Sequence, residues 1–263
     1  MHTATQMAAA SHKMLWAGRI LSGVTIAFLL MDSGMHMTTM APVVQAFAQL
    51  GFPMRLALGL AIVELACTVA YLYPRTSVLG AILLTGYLGG AVAMHLRVGN
   101  PLFSETLFPV YVGFLVWGGL YLRGPELRAL ISVGGEKDQA TSRGMLWTGR
   151  ALGAVTALLI VFASIPKLLK AASMVEGFQQ AGFSENLVVT VGIIELACAV
   201  VYVIPRTRVL GAILMTGLMG GATATNVRIG NPAVMVTVIL GVLAWGGLFL
   251  RDKRVRALIP WRS

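Results

Sequence analysis

Acidic side chains are scarce in this sequence: ten aspartates and glutamates among 263 residues, with all charged types together at 11%. A water-soluble domain carries about a quarter charged residues, so much of this chain's surface must face something other than water. Alternation is missing as well. The apolar runs show no two-residue period, which excludes the strands of a membrane β-barrel. Cysteine is down to two residues, Cys67 and Cys198, each inside an apolar run. They form neither a CxxC pair nor a disulfide framework. No zinc-ligand spacing, phosphate-binding glycine loop or serine-nucleophile motif occurs.

What is abundant is apolar length. Hydrophobic residues make 57% of the chain and the mean hydropathy is +0.81. A bilayer core takes about 20 apolar residues as a helix, and stretches of that size separated by short polar breaks fill most of the sequence. The expected fold is all-α: a polytopic membrane protein of eight transmembrane helices. The net charge of +10 does not point to nucleic acid, because no compact basic domain carries it. Instead it sorts by side. All lysines and arginines except Arg55, Arg97, Lys167, Lys170 and Arg228 fall on the side of the termini and the central polar segment. By the positive-inside rule both termini are expected in the cytoplasm, with the chain multi-pass in the cell (inner) membrane.

The chain is also written twice. Leu15-Trp16-Ala17-Gly18-Arg19 returns as Leu146-Trp147-Thr148-Gly149-Arg150, and Glu64-Leu65-Ala66-Cys67 as Glu195-Leu196-Ala197-Cys198. YLYPRT at 71–76 returns as YVIPRT at 202–207, the run 78–83 recurs unchanged at 209–214, and Gly99-Asn100-Pro101 recurs as Gly230-Asn231-Pro232. One offset serves all of these. Beyond them the second copy is shorter before Trp245-Gly246-Gly247, the match to Trp117-Gly118-Gly119.

Each copy reads as four helices: 15–35, 55–73, 78–94 and 106–122, then 146–165, 187–204, 209–225 and 233–250. Pro74 and Pro205 stop the second helix of each set, and Asn-Pro at 100–101 and 231–232 marks the turn before the last. The expected units are a polar N-terminus at 1–13, a first four-helix unit at 14–123, a cytoplasmic linker at 124–144, a second unit at 145–251 and a basic tail at 252–263. Lys13 followed by an apolar run resembles the opening of a signal peptide, but its counterpart after Met145 lies mid-chain, so the first helix is read as retained. An even helix number per copy predicts two parallel four-helix bundles rather than inverted repeats.

Ionisable groups inside membrane helices are costly and each one is a functional candidate. Glu64 and Glu195 lie near the middle of each second helix; Arg19 and Arg150 lie about one turn inside each first helix. The expected heights of Arg and Glu differ by about two turns at most, which allows an interhelical ion pair or a carboxylate that moves protons or holds a polar ligand head. A second group is expected at the opposite membrane face: Asp32 and His36, four apart on one helix face, with His95, Arg97, Asn100 and Glu105. Asp32, His36, Glu64, His95 and Glu105 are the acid–base candidates; Arg19, Arg97, Asn100, Arg150, Lys167, Glu195, Arg228 and Asn231 are the ligand-binding ones. At the positions of Asp32, His36, His95 and Arg97 the second copy has Ala163, Lys167, Asn226 and Arg228, so chemistry at this face belongs to the first copy. Met31, Met35, His36, Met37 and Met40 have the donor types that suit Cu(I), but methionine is also an apolar filler, and no metal site is expected. Gly89-Gly90 and Gly220-Gly221 read as helix-packing glycines.

Gly18-Arg19, Asp32 with a basic residue four later, 50–53 (LGFP), Glu64-Leu65, Pro74-Arg75, Leu79-Gly80-Ala81, and the tail from Gly99-Asn100-Pro101 through Trp117-Gly118-Gly119 to Leu122-Arg123 together resemble the DoxX-like family of four-helix membrane proteins, here twice over. That family usually has lysine where this chain has His36; the second copy keeps it as Lys167. The family's name comes from a small subunit of a thiosulfate:quinone oxidoreductase, so the resemblance implies a link to quinone or redox chemistry by analogy. It names no cofactor and leaves catalysis undecided. Three readings follow: a subunit or enzyme handling a lipophilic small molecule such as a quinone; a non-catalytic scaffold or accessory subunit bound to another membrane or redox protein; and, disfavoured by parallel duplication without broken helices, a small-solute transporter. The expected surroundings are the lipid bilayer, without nucleic acid.

Overall fold

Prolines and glycines punctuate a chain that otherwise reads as continuous helix. The computed structural model describes residues 2–38, 40–124, 127–128 and 142–258. Most of the expected linker and the last five residues of the tail lie outside them. The first repeat gives α1 (His2–His36), α2 (Ala41–Gln49), α3 (Ala57–Leu72), α4 (Ser77–Arg97) and α5 (Phe108–Arg123). The second gives α6 (Arg143–Leu168), α7 (Ala172–Gln180), α8 (Asn186–Val203), α9 (Arg208–Ile229) and α10 (Val234–Arg251), followed by a short α11 (Lys253–Leu258). Among the described residues eight helices are long and apolar enough to cross a membrane, the number expected. Large apolar side chains such as Ile20, Phe114, Leu158, Phe162 and Val242 point outward, where lipid takes the place of a protein core.

Five elements differ from the sequence reading, one of them α11 in the expected basic tail. α1 begins at His2, so most of the polar N-terminus is helical. Two short helices, α2 and α7, follow the first spans; residues 41–54 had no element assigned. Val43 and Phe47, one turn apart, are the buried side of α2. Between Pro101 and α5 the chain makes one turn of π-helix (Leu102–Thr106), absent from the shorter second copy.

The two repeats are built alike. α1 packs on α3 and α5, and α4 on the same two; α6, α8, α9 and α10 repeat the arrangement. Pro74 and Pro205 stop the second spans, and the following threonines close the turn: Thr76 Oγ1 donates to Ala70 O (2.7 Å) and Thr207 Oγ1 to Val201 O (2.8 Å). Buried tyrosines pin helix to helix, Tyr71 Oη donating to Val116 O (2.9 Å) and Tyr202 Oη to Ala244 O (2.8 Å). Trp117 Nε1 donates to Thr85 Oγ1 (2.9 Å) and Trp245 Nε1 to Thr216 Oγ1 (2.8 Å). Inside a membrane such bonds satisfy groups that have no water.

α4 and α9 join the units, and small residues make that junction. A Cβ on Gly89 would collide with the Gly217 carbonyl, and one on Gly220 with the Gly86 carbonyl; Gly90 abuts Ala224 (3.0 Å) and Gly221 abuts Ala93 (3.1 Å). Each contact is the exchange of another between the repeats. Backbones this close gain dispersion contacts that larger residues forbid.

Candidate functional site

Glu64 is the deepest charged group in the first unit, with no exposed surface. A buried carboxylate needs partners or a proton. Its partners come from three helices. His36, the last residue of α1, brings Nδ1 to 3.4 Å from Glu64 Oε2, and Tyr87 of α4 donates its hydroxyl to the same oxygen (3.1 Å). Asp32, one turn before His36, places Oδ2 3.8 Å from that Nδ1. Phe47 of α2 meets the imidazole edge to face at 5.7 Å and stacks in turn on Phe52. Glu64 Oε1 is buried and has no hydrogen-bond partner. The cluster is accessible through Asp32 and His36, whose side chains are 38% and 22% exposed; Met31, Met35, Met37 and Met40, neighbours in sequence, are exposed too.

The second unit shows the same place closed. Lys167 Nζ donates to Glu195 Oε1 (2.9 Å), to Oε2 (2.8 Å) and to Ala163 O (3.0 Å). Both carboxylate oxygens are used, and the counterparts of Asp32 and Tyr87 are Ala163 and Leu218. One repeat holds a saturated ion pair; the other holds an imidazole, two carboxylates and a phenol with an acceptor to spare.

This regroups the sequence candidates. Arg19 does not meet Glu64: its guanidinium lies over the Trp16 ring, 5.6 Å from the centroid. The two lie much further apart in height than the two turns expected. Glu64 sits at the level of His36, and the 17 residues from Arg19 to His36 rise about 25 Å. Arg150 likewise stacks on Trp147 (5.7 Å), while Glu195 takes Lys167. His36 ends α1 level with Glu64, two turns into α3, and Phe47 of α2 packs on its ring. Glu64, Asp32 and His36 are therefore one site. Tyr87 was missed; comparing the copies flags it, since a tyrosine faces Leu218 in the alignment.

The other candidates lie apart from this site. Asn100 Nδ2 donates to His95 Nδ1 (2.8 Å), and Glu105 Oε2, on the π-helical turn, lies 3.9 Å from that nitrogen. Asn231 Oδ1 accepts from Ala233 N (2.9 Å), a turn bond before α10. Arg97 and Arg228 cap the chain after α2 and α7, donating to Leu50 O (2.6 Å) and to Ala181 O.

A scan of family models matches the DoxX-like family over residues 20–119 and again over 151–247. The chain belongs to the DoxX-like family. The two matched segments fit a tandem duplication, and each contains one copy of the charged site: Asp32, His36, Glu64 and Tyr87 in the first, Lys167 and Glu195 in the second. No curated protein and no solved structure gave a match. Within this DoxX-like chain, Asp32, His36 and Glu64 offer three ligand atoms all within 4.8 Å of one another, a nitrogen–oxygen set of the type that binds divalent cations. The same set can pass a proton from an exposed group to a buried one: Asp32 and His36 at the opening, Glu64 and Tyr87 behind.

Proposed function

We propose that this DoxX-like membrane protein binds the polar head of a lipophilic small molecule, a quinone in the favoured case, at Asp32, His36, Glu64 and Tyr87 of its first unit. The observation that carries the reading is the contrast between the repeats: a buried carboxylate closed by lysine in one, left with an unpartnered oxygen behind an open histidine in the other. A ligand arriving from the apolar side reaches His36 and Asp32 first. His36 exchanges a hydrogen bond or proton with the ligand's oxygen at the opening and passes it through Nδ1 to Glu64, which Tyr87 orients. The methionines round the opening suit an apolar ring or tail. The redox role is that of a subunit in a larger system, working beside another membrane or redox protein.

The two units enter the bilayer in the same sense, as parallel bundles in the inner membrane with both termini cytoplasmic; the even number of spans in each unit and the basic residues near the termini support this. The domain division follows: units at 14–123 and 145–251, joined at 124–144.

A titration of the purified chain with a short-chain quinone, read by tryptophan fluorescence, tests the binding claim. Saturable binding weakened at least tenfold in both His36→Ala and Glu64→Gln is the expected outcome. Absence of binding, or equal binding in both variants, rejects it. The saturated Lys167–Glu195 pair favours a second reading, a non-catalytic accessory subunit, in which tight co-purification of a partner survives both substitutions.

A further inference from the structure

Arg97 ends α4 and Arg228 stands one residue before the end of α9, the two helices that join the units. Each guanidinium turns onto the carbonyl that follows a short helix, Leu50 O after α2 and Ala181 O after α7. Gly51 and Gly182 come next, both left-handed (φ 57° and 79°), and the arginines occupy the volume their side chains would need. A Cβ on Gly51 would lie 2.8 Å from Arg97 Nη2. A Cβ on Gly182 would lie 3.1 Å from Arg97 Nη1 and 3.8 Å from Arg228 Nη2. Both guanidinium groups therefore stand within 4 Å of a single point, at the junction of the units and on the face opposite the termini.

Among the described residues no carboxylate lies within ion-pair distance of either arginine; Glu105 pairs with His95 and Glu185 with Lys170. Nε of each is buried without a hydrogen-bond partner. Both residues are half-buried, so water screens their mutual repulsion only in part. Each spends one nitrogen on a carbonyl and keeps other N–H groups free. Two facing guanidinium forks with unused donors match an anion that presents several oxygens in a fixed arrangement.

We propose that Arg97 and Arg228 together form a binding site for a phosphate-class anion, one arginine from each repeat. This site is independent of the Glu64 cluster, since its residues are the ones the duplication preserved. A phospholipid headgroup and free phosphate share the required chemistry, and the test separates them.

The full chain, purified without phosphate, is followed by thermal unfolding against inorganic phosphate and against dihexanoyl phosphatidic acid, with chloride at matched ionic strength as reference. A saturable rise in Tm of several degrees is expected. Phosphate acting alone assigns a free anion; phosphatidic acid acting while phosphate does not assigns a headgroup. The rise should vanish in R97Q/R228Q and be weakened in R97K/R228K, which keeps the charges and loses the planar forks. ³¹P line broadening of either probe by the unsubstituted chain reads binding even if the glutamine variant does not fold, and the single variant R228Q then localises it by weakening the broadening. No rise and no broadening with either probe, or a glutamine variant that responds like the unsubstituted chain, overturns the proposal.

Discussion

Lys167 and His36 occupy the same position in the two copies, and the difference between them sets what each unit can do. Lys167 and Glu195 are a buried pair with short contacts on both oxygens, so removing one member strands the other. Lys167→Met or Glu195→Gln should each cost about 3 kcal/mol or more, because an uncompensated charge or donor is left buried. Replacing both, as in Lys167→Met with Glu195→Leu, should cost less than either alone; unfolding in detergent measures all three, and additive losses would argue against a buried pair. Asp252, outside the spans, gives a pH prediction. Burial works to raise its pKa, but hydrogen bonds from Arg254 and the charges of Arg254 and Arg208 outweigh that and hold it below the ordinary carboxylate value. The native chain thus binds fewer protons here than the unfolded one, so Asp252 stabilises fully above about pH 4 and the gain is lost as pH falls through the lower native pKa. The Tm gap between the unsubstituted chain and Asp252→Asn should be constant near neutrality and shrink below pH 4. A gap that widens on acidification contradicts the assignment.

At the level of elements, the junction of α4 and α9 depends on residues without side chains. Gly89→Ala and Gly220→Ala each drive a methyl into a facing carbonyl and should destabilise by about 1–3 kcal/mol. Gly23→Ala in α1, where nothing lies within 4 Å, should cause no loss, since alanine is the better helix former. Equal Tm values for the three variants would mean the junction is not as tight as described. The spans themselves were legible from apolar length and proline alone. α2 and α7 were not, because nine residues of mixed polarity are too short for a span signal, and reading them as connectors kept His36 apart from Glu64. The misplaced Arg19 has the same root: depth in a bundle depends on what folds over a helix end, which spacing along one helix does not report.

For the whole molecule, duplication was the clearest signal in the sequence, and it also locates function by contrast. Comparing the copies position by position singles out Asp32, His36 and Tyr87 as the residues that opened one site, while Arg97 and Arg228 mark what both units share. The sequence could not bring Glu64 to His36, since that contact joins α1 and α3 across 28 residues. His36→Lys combined with Asp32→Ala and Tyr87→Leu rebuilds the second unit's ion pair in the first; it should fold at least as stably as the unsubstituted chain and lose ligand binding, read by Tm and by quinone titration. Photo-crosslinking with an azido-quinone, with adducts mapped by mass spectrometry, tests the central claim most directly. The account predicts adducts on the end of α1 and the facing turns of α3, competed away by unlabelled quinone, with α6 and α8 unlabelled. Equal labelling of the two units, or labelling that excess quinone does not suppress, would contradict it.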